Sequence, residues 1–164
     1  MIELGLRNDV YRRPLMTALD RLGLREGWRC VDVGAGGGDV SVALAEHFLA
    51  AGATIAVYDP QATATARAVL GDRISYHDDA YAAVDGADAV ILVTEWPEFR
   101  ALDLRLVKER MKGRVFVDGR NLYEPETLRA LGFDYYGVGR GYAAQPFPAD
   151  AEDLYDVYES NGGL

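Results

Sequence analysis

Six short apolar runs, each followed by a turn and a helix-like segment, constrain this chain more than any other feature. The runs are residues 29–33, 54–58, 74–76, 89–93, 115–117 and 135–138, and the helical segments fall at 39–50, 61–70, 98–112 and 125–131. Four of the runs are continuously apolar rather than alternating, the pattern of strands buried on both faces. Strands alternating with helices predict a parallel sheet covered on both sides, and right-handed crossovers make it doubly wound. A further helix is predicted before the first strand. Pro14 suits a first turn, Leu15, Ala18, Leu19 and Leu22 hold one apolar face, and Gly23 is a stop. The expected fold is an α/β three-layer sandwich, one domain over residues 1–164.

Composition narrows the partners. Lys and Arg number 17 against 26 Asp and Glu, a net charge of −9, which argues against nucleic acid or an anionic membrane. A small anionic ligand stays open, because a few backbone amides can hold one whatever the net charge. The single cysteine, Cys30, cannot form an internal disulfide, and a reducing compartment fits. Glu3, Arg7 and Asp9 precede any long apolar run, so no signal peptide is expected. The expectation is a soluble, cytoplasmic protein. Residues 149–164 hold five acids and no base, as a short docking helix or a frayed end would. No set of acids and histidines has metal-ligand spacing.

The segment VDVGAGGGDVS, residues 31–41, follows one predicted strand and opens a predicted helix. Gly34, Gly36 and Gly38 are spaced GxGxG. A dinucleotide fingerprint needs GxGxxG, and its last glycine would fall on Asp39, where an acid opposes a pyrophosphate at the helix N-terminus. NAD is therefore disfavoured at this loop, whereas a zwitterionic amino-acid moiety tolerates the acid. The alternative is a plain strand-to-helix turn. Asp32 adds a carboxylate at the strand end. Asp59 ends the second strand in AVYDP, 21 residues after Gly38, where an acid can bind ribose hydroxyls. Taken alone, Asp59 would cap the helix that follows. Asp78 and Asp79 follow the third strand, either against an adenine amino group or in a solvated turn.

Two resemblances follow. Residues 9–48, with GWRCVDVGAGGG as the most specific stretch, resemble the start of class I S-adenosylmethionine-dependent methyltransferases. That resemblance implies that Asp32, Gly34, Ala35, Gly36 and Gly38 line the methionine end of the cofactor, and that Asp59 holds its ribose. Residues 50–140 resemble the C-terminal, UDP-sugar-binding domain of UDP-glucose 6-dehydrogenases. The matching pieces are GATIAVYDP, LGDRISYHDD, ADAVILVTEWPEF, VFVDGRNLY and LGFDYYGVGR. Here the arginine of the DGR motif, Arg120, is implied to hold the nucleotide. Both families use a Rossmann-like sheet of strand order 3-2-1-4-5-6.

The departures shape the functional reading. The dehydrogenase family carries an N-terminal NAD domain, a central helix, a catalytic cysteine in a glycine-rich setting and an opening strand with a phenylalanine–lysine pair. Residues 1–164 show none of these, and Cys30 sits in a predicted buried strand. Nor does Thr94-Glu95-Trp96-Pro97 match the methyltransferase Asn-Pro-Pro motif after the fourth strand. The chain therefore reads as a hybrid, engineered or natural, joined near residues 46–53, with 142–164 as an acidic tail. Its expected function is S-adenosylmethionine binding of methyltransferase type, with Glu95 and His77 as candidate bases or plain loop residues. The alternative is a UDP-sugar or nucleotide-binding module without complete dehydrogenase activity. An exposed aromatic pair, Trp96 and Phe99, and the apolar face of the tail would support a homodimer.

Overall fold

The computed structural model describes residues 15, 16, 19, 26–33, 39–138 and 140. The strands are β1 (Arg29–Val33), β2 (Thr54–Tyr58), β3 (Ser75–Tyr76), β4 (Ala89–Leu92), β5 (Val115–Asp118) and β6 (Asp134–Gly137). They form a six-stranded sheet in the order β3-β2-β1-β4-β5-β6, parallel throughout. Cys30 of β1 lies opposite both Ile55 of β2 and Ala89 of β4, so β1 is the centre from which the chain winds first one way and then the other. The expected α/β doubly wound fold is present. Its crevice lies where the winding reverses, between the carboxyl ends of β1 and β4.

Alternate side chains of each strand enter two separate cores, as the two-residue period of a strand requires. Cys30, Ile55, Val57, Ala89, Ile91 and Val117 pack with Leu15, Leu19, Leu44 and Phe48 on one face. Val31, Ala56, Val90, Leu92 and Phe116 pack with Phe99, Val107, Leu128 and Phe133 on the other. Leu15 and Leu19 are helical and buried, in keeping with the predicted leading helix, whose Pro14, Ala18 and Leu22 lie outside the described residues. Cys30 is fully buried, and burial together with the charge of Asp88 pushes its thiol up to about 12, so it is packing rather than a nucleophile.

The helices are α1 (Asp39–Ala50), α2 (Thr63–Leu70), α3 (Ala80–Val84), α4 (Pro97–Arg100), α5 (Leu104–Arg110) and α6 (Pro125–Ala130). The single helix expected over 98–112 is two. Asp103 interrupts it by accepting from the Arg105 and Leu106 amides, which starts α5 afresh. Helix α3 was not expected. Asp79 caps it through the Ala82 amide, and Ala80, Ala83 and Val84 bury its inner side. Phe99, expected on the surface, is fully buried on α4 with its ring edge against Tyr58. The aromatic pair proposed for a homodimer is therefore not an exposed surface. Among the described residues no helix is long and apolar enough to cross a membrane.

Candidate functional site

In a parallel sheet the loops that leave the carboxyl ends of the strands converge on one edge, and ligands of this architecture bind there. Buried side-chain atoms without a hydrogen-bond partner gather on that edge. Both Asp32 oxygens, His77 Nε2, Thr94 Oγ1 and Asn121 Oδ1 lie at or just past the ends of β1, β3, β4 and β5. Two others among the described residues, Arg29 Nε and Arg129 Nε, lie elsewhere, at the start of β1 and on α6. Unpaired buried polar groups are costly, so their concentration at one edge marks a place where a polar ligand can be received.

On the β1–β3 side the edge is acidic. Asp32 is buried and faces α1, and burial pushes its carboxyl up to about 7. Ser41 tempers that rise, although neither Asp32 oxygen reaches hydrogen-bonding geometry with a described residue, and the charge of Asp59 adds to it. Asp59 is buried as well, but well supplied with donors. Its Oδ1 accepts from the Gln61 and Ala62 amides, each at 2.7 Å, and its Oδ2 from Trp96 Nε1 at 3.4 Å. The carboxylate thus shapes the turn into α2 and tethers the β4 loop to it. Asp79 caps α3, Asp78 is exposed, and His77 donates its backbone N–H to the Val57 carbonyl.

On the β4–β6 side the edge is built around Asp118, the last residue of β5. It is fully buried, and its carboxylate accepts from the Arg120 amide at 3.1 Å, the Tyr123 amide at 3.0 Å and the Tyr135 hydroxyl at 3.0 Å. These bonds fold the Gly119-Arg120-Asn121 turn back over the strand. Gly119 donates to the Leu92 carbonyl at 2.8 Å, and a Cβ at this glycine would stand 2.9 Å from that oxygen, so only glycine lets the turn lie flat against β4. Asn121 takes a left-handed φ of 53° and donates through Nδ2 to the Val138 carbonyl. The guanidinium of Arg120 is thereby brought to the sheet edge, where its Nη2 meets Glu95 Oε1 at 2.8 Å. That bond, with the charges of Arg120 and Arg100, holds the Glu95 carboxyl below the usual range, which makes it a poor base. Arg140 reaches the same region, donating to the Tyr123 and Asn121 carbonyls.

Of the residues expected at a site, Asp32, Asp59, Asp78, Asp79 and Arg120 all lie on the carboxyl edge. Gly34, Ala35, Gly36 and Gly38 lie outside the described residues. Sequence reasoning missed Asp118, Thr94, Asn121 and Arg140. The DGR motif drew attention to its arginine, while the aspartate that sets the turn ended an apolar run and looked like its boundary.

Comparison with known proteins favours one of the two resemblances. The model of the UDP-glucose/GDP-mannose dehydrogenase family, UDP binding domain, matches residues 40–125. A UDP-glucose 6-dehydrogenase of Pseudomonas aeruginosa is 46% identical over 105 residues, which is 61% of this chain and 23% of that protein. One of Bacillus subtilis is 39% identical over 99 residues, 60% of this chain and 22% of that protein. The solved UDP-glucose dehydrogenase of Pyrobaculum islandicum superposes with a TM-score of 0.63 at 33% identity, covering 81% of this chain and 31% of that one. This chain therefore spans less than a quarter of the length of these two curated relatives.

These matches correct the methyltransferase reading. The dehydrogenase model already matches from residue 40, inside the segment 9–48 that was read as methyltransferase, so a junction near 46–53 has no footing. The superposition over 81% of the chain is longer than residues 50–140 and carries the dehydrogenase likeness beyond them. Binding of S-adenosylmethionine, methyl transfer and a hybrid chain lose their support, and with them the adenine role of Asp78 or Asp79. The matching relatives are dehydrogenases, not transferases.

Proposed function

Since this chain belongs to the UDP-glucose/GDP-mannose dehydrogenase family by its UDP binding domain, we propose that it holds the nucleotide of a UDP-sugar at the carboxyl edge of β4 and β5. The observation that carries this reading is the Asp118-anchored turn, which presents Arg120 at the sheet edge inside the segment matched to the family. A guanidinium offers paired donors suited to a diphosphate, and a backbone held by a buried carboxylate keeps it in register. Thr94 and Asn121 add unpaired polar atoms within the same edge, suited to the ribose or the base.

The activity of the whole protein, in our proposal, is that of its relatives: oxidation of the sugar of UDP-glucose at C6, with NAD as hydride acceptor. NAD in that family is carried by a separate N-terminal domain, and Asp59, bound to two amides and an indole, serves the turn into α2. This chain contributes binding and orientation of the nucleotide. A cytoplasmic setting is kept as part of the proposal, supported by the single reduced and buried Cys30.

Calorimetric titration with UDP, UDP-glucose and S-adenosylmethionine tests the reading. Heat is expected with the two uridine ligands and none with S-adenosylmethionine. Binding of S-adenosylmethionine, or no binding of either uridine nucleotide, would overturn it.

A further inference from the structure

Glu95 sits between two guanidinium groups. Its Oε1 accepts from Arg120 Nη2 at 2.8 Å, and its Oε2 lies 3.7 Å from Arg100 Nη2. A carboxylate and a phosphate present similar pairs of acceptor oxygens to a guanidinium, so Glu95 occupies the donors a diphosphate would seek. The arrangement is easy to undo. The Glu95 side chain is 51% exposed and that of Arg120 31%, and an ion pair so open to water is weak. The two partners are also anchored separately. Glu95 leaves β4 on one loop, while the Arg120 backbone is held to Asp118 on another, so Glu95 can swing aside without shifting the Arg120 main chain.

We propose that Glu95 is an internal competitor for the phosphate seat at Arg120, holding the guanidinium over the sheet edge and yielding it to a nucleoside diphosphate. This rests on the UDP-binding reading above and adds to it a residue that limits affinity. A competitor makes an unusual prediction: removing its charge should tighten binding, an outcome that structural damage does not produce.

The test is calorimetric titration of the parent chain, Glu95→Gln and Arg120→Ala with UDP and with uridine at low ionic strength. Glu95→Gln should bind UDP about three- to tenfold more tightly than the parent, and the gain should shrink as added salt screens the charges. Its affinity for uridine, which has no phosphate, should not change. Equal or weaker UDP binding by Glu95→Gln would overturn the inference, and so would an equal gain with uridine. If Arg120→Ala binds UDP much more weakly than the parent while Glu95→Gln gains nothing, the competitor fails and the UDP-binding reading stands. If Arg120→Ala binds UDP as well as the parent, or if no variant binds it, both fail.

Discussion

The two halves of the sheet meet the same edge with different charge: one brings acids alone, the other acids and arginines together. The segments leaving β2 and β3 bring Asp59, Asp78 and Asp79, and β1 brings Asp32, with no Lys or Arg in 59–62 or 77–79. The segments leaving β4, β5 and β6 bring Arg100, Arg120 and Arg140 together with Glu95, Glu98 and Glu124. Two of the four acids on the first side are consumed within the fold, since Asp59 and Asp79 bind backbone amides that would otherwise lack partners. On the second side the cation at the strand end is displayed, because a buried acid, Asp118, has taken over the structural work. An acid after a strand is therefore weak evidence for a ligand hydroxyl when free helix amides lie within its reach.

The harshest way to break this contrast is Asp118→Ala. It leaves two amides without their acceptor and the Tyr135 hydroxyl with only the Tyr123 carbonyl, 3.2 Å away, and should cost about 3–5 kcal/mol in denaturant unfolding, with loss of UDP binding. A variant of parental stability would show that the turn does not depend on this carboxylate.

Asp32→Asn acts next, and in the opposite direction. The Asp32 carboxyl is pushed up to about 7 in the fold from an ordinary value of 3.8, so between these values the native state holds a proton that the unfolded chain releases. The native state is thus favoured at low pH and loses this advantage as pH rises towards 7. At pH 8 the parent pays for a buried charge, and the amide should stabilise by on the order of 2–4 kcal/mol. The advantage should shrink steadily as melts are repeated from pH 8 down to pH 5. A gain independent of pH would show that Asp32 does not titrate in this window.

Arg120→Ala sharpens the contrast from the other side. Thermal melting should hardly move, because the side chain makes a partly exposed ion pair, while UDP affinity should fall tenfold or more, about 1.5–3 kcal/mol. A large loss of stability would make Arg120 a structural residue instead.

The smallest effect is expected at Asp59. Replacement by alanine removes a turn cap, at about 1–2 kcal/mol of stability, and should leave UDP affinity within about twofold of the parent. A tenfold loss of affinity would restore it as a ligand residue.

Strands β1 and β2 and helix α1 were legible to the residue, because short apolar-rich runs bounded by turn residues and a sustained helical pattern leave few alternatives. Helix α3 was not legible. Five residues are too few to show a period, and its start depends on one capping aspartate that equally suits an open turn. The break at Asp103 was hidden for a similar reason, since a cap inside a helical pattern looks like one more polar position. The GxGxG loop drew the functional reading towards S-adenosylmethionine. Glycine spacing reports the tightness of a turn and says little about which ligand lies above it.

From the sequence alone came the alternation of strand and helix, the doubly wound sheet, the strand order implied by the resembled families, and a DGR motif at the end of β5. Each depends on local pattern, which burial on two faces and chain chirality convert into a fold with little freedom. Only the tertiary structure decided which charged groups are spent and which are displayed. Asp59 bonded to Trp96, Asp118 bonded to Tyr135, and Glu95 set against Arg120 each join the acid to a group on another element or loop. Such pairings depend on distances across the sheet edge, and a linear pattern does not encode the competition among donors for the same carboxylate.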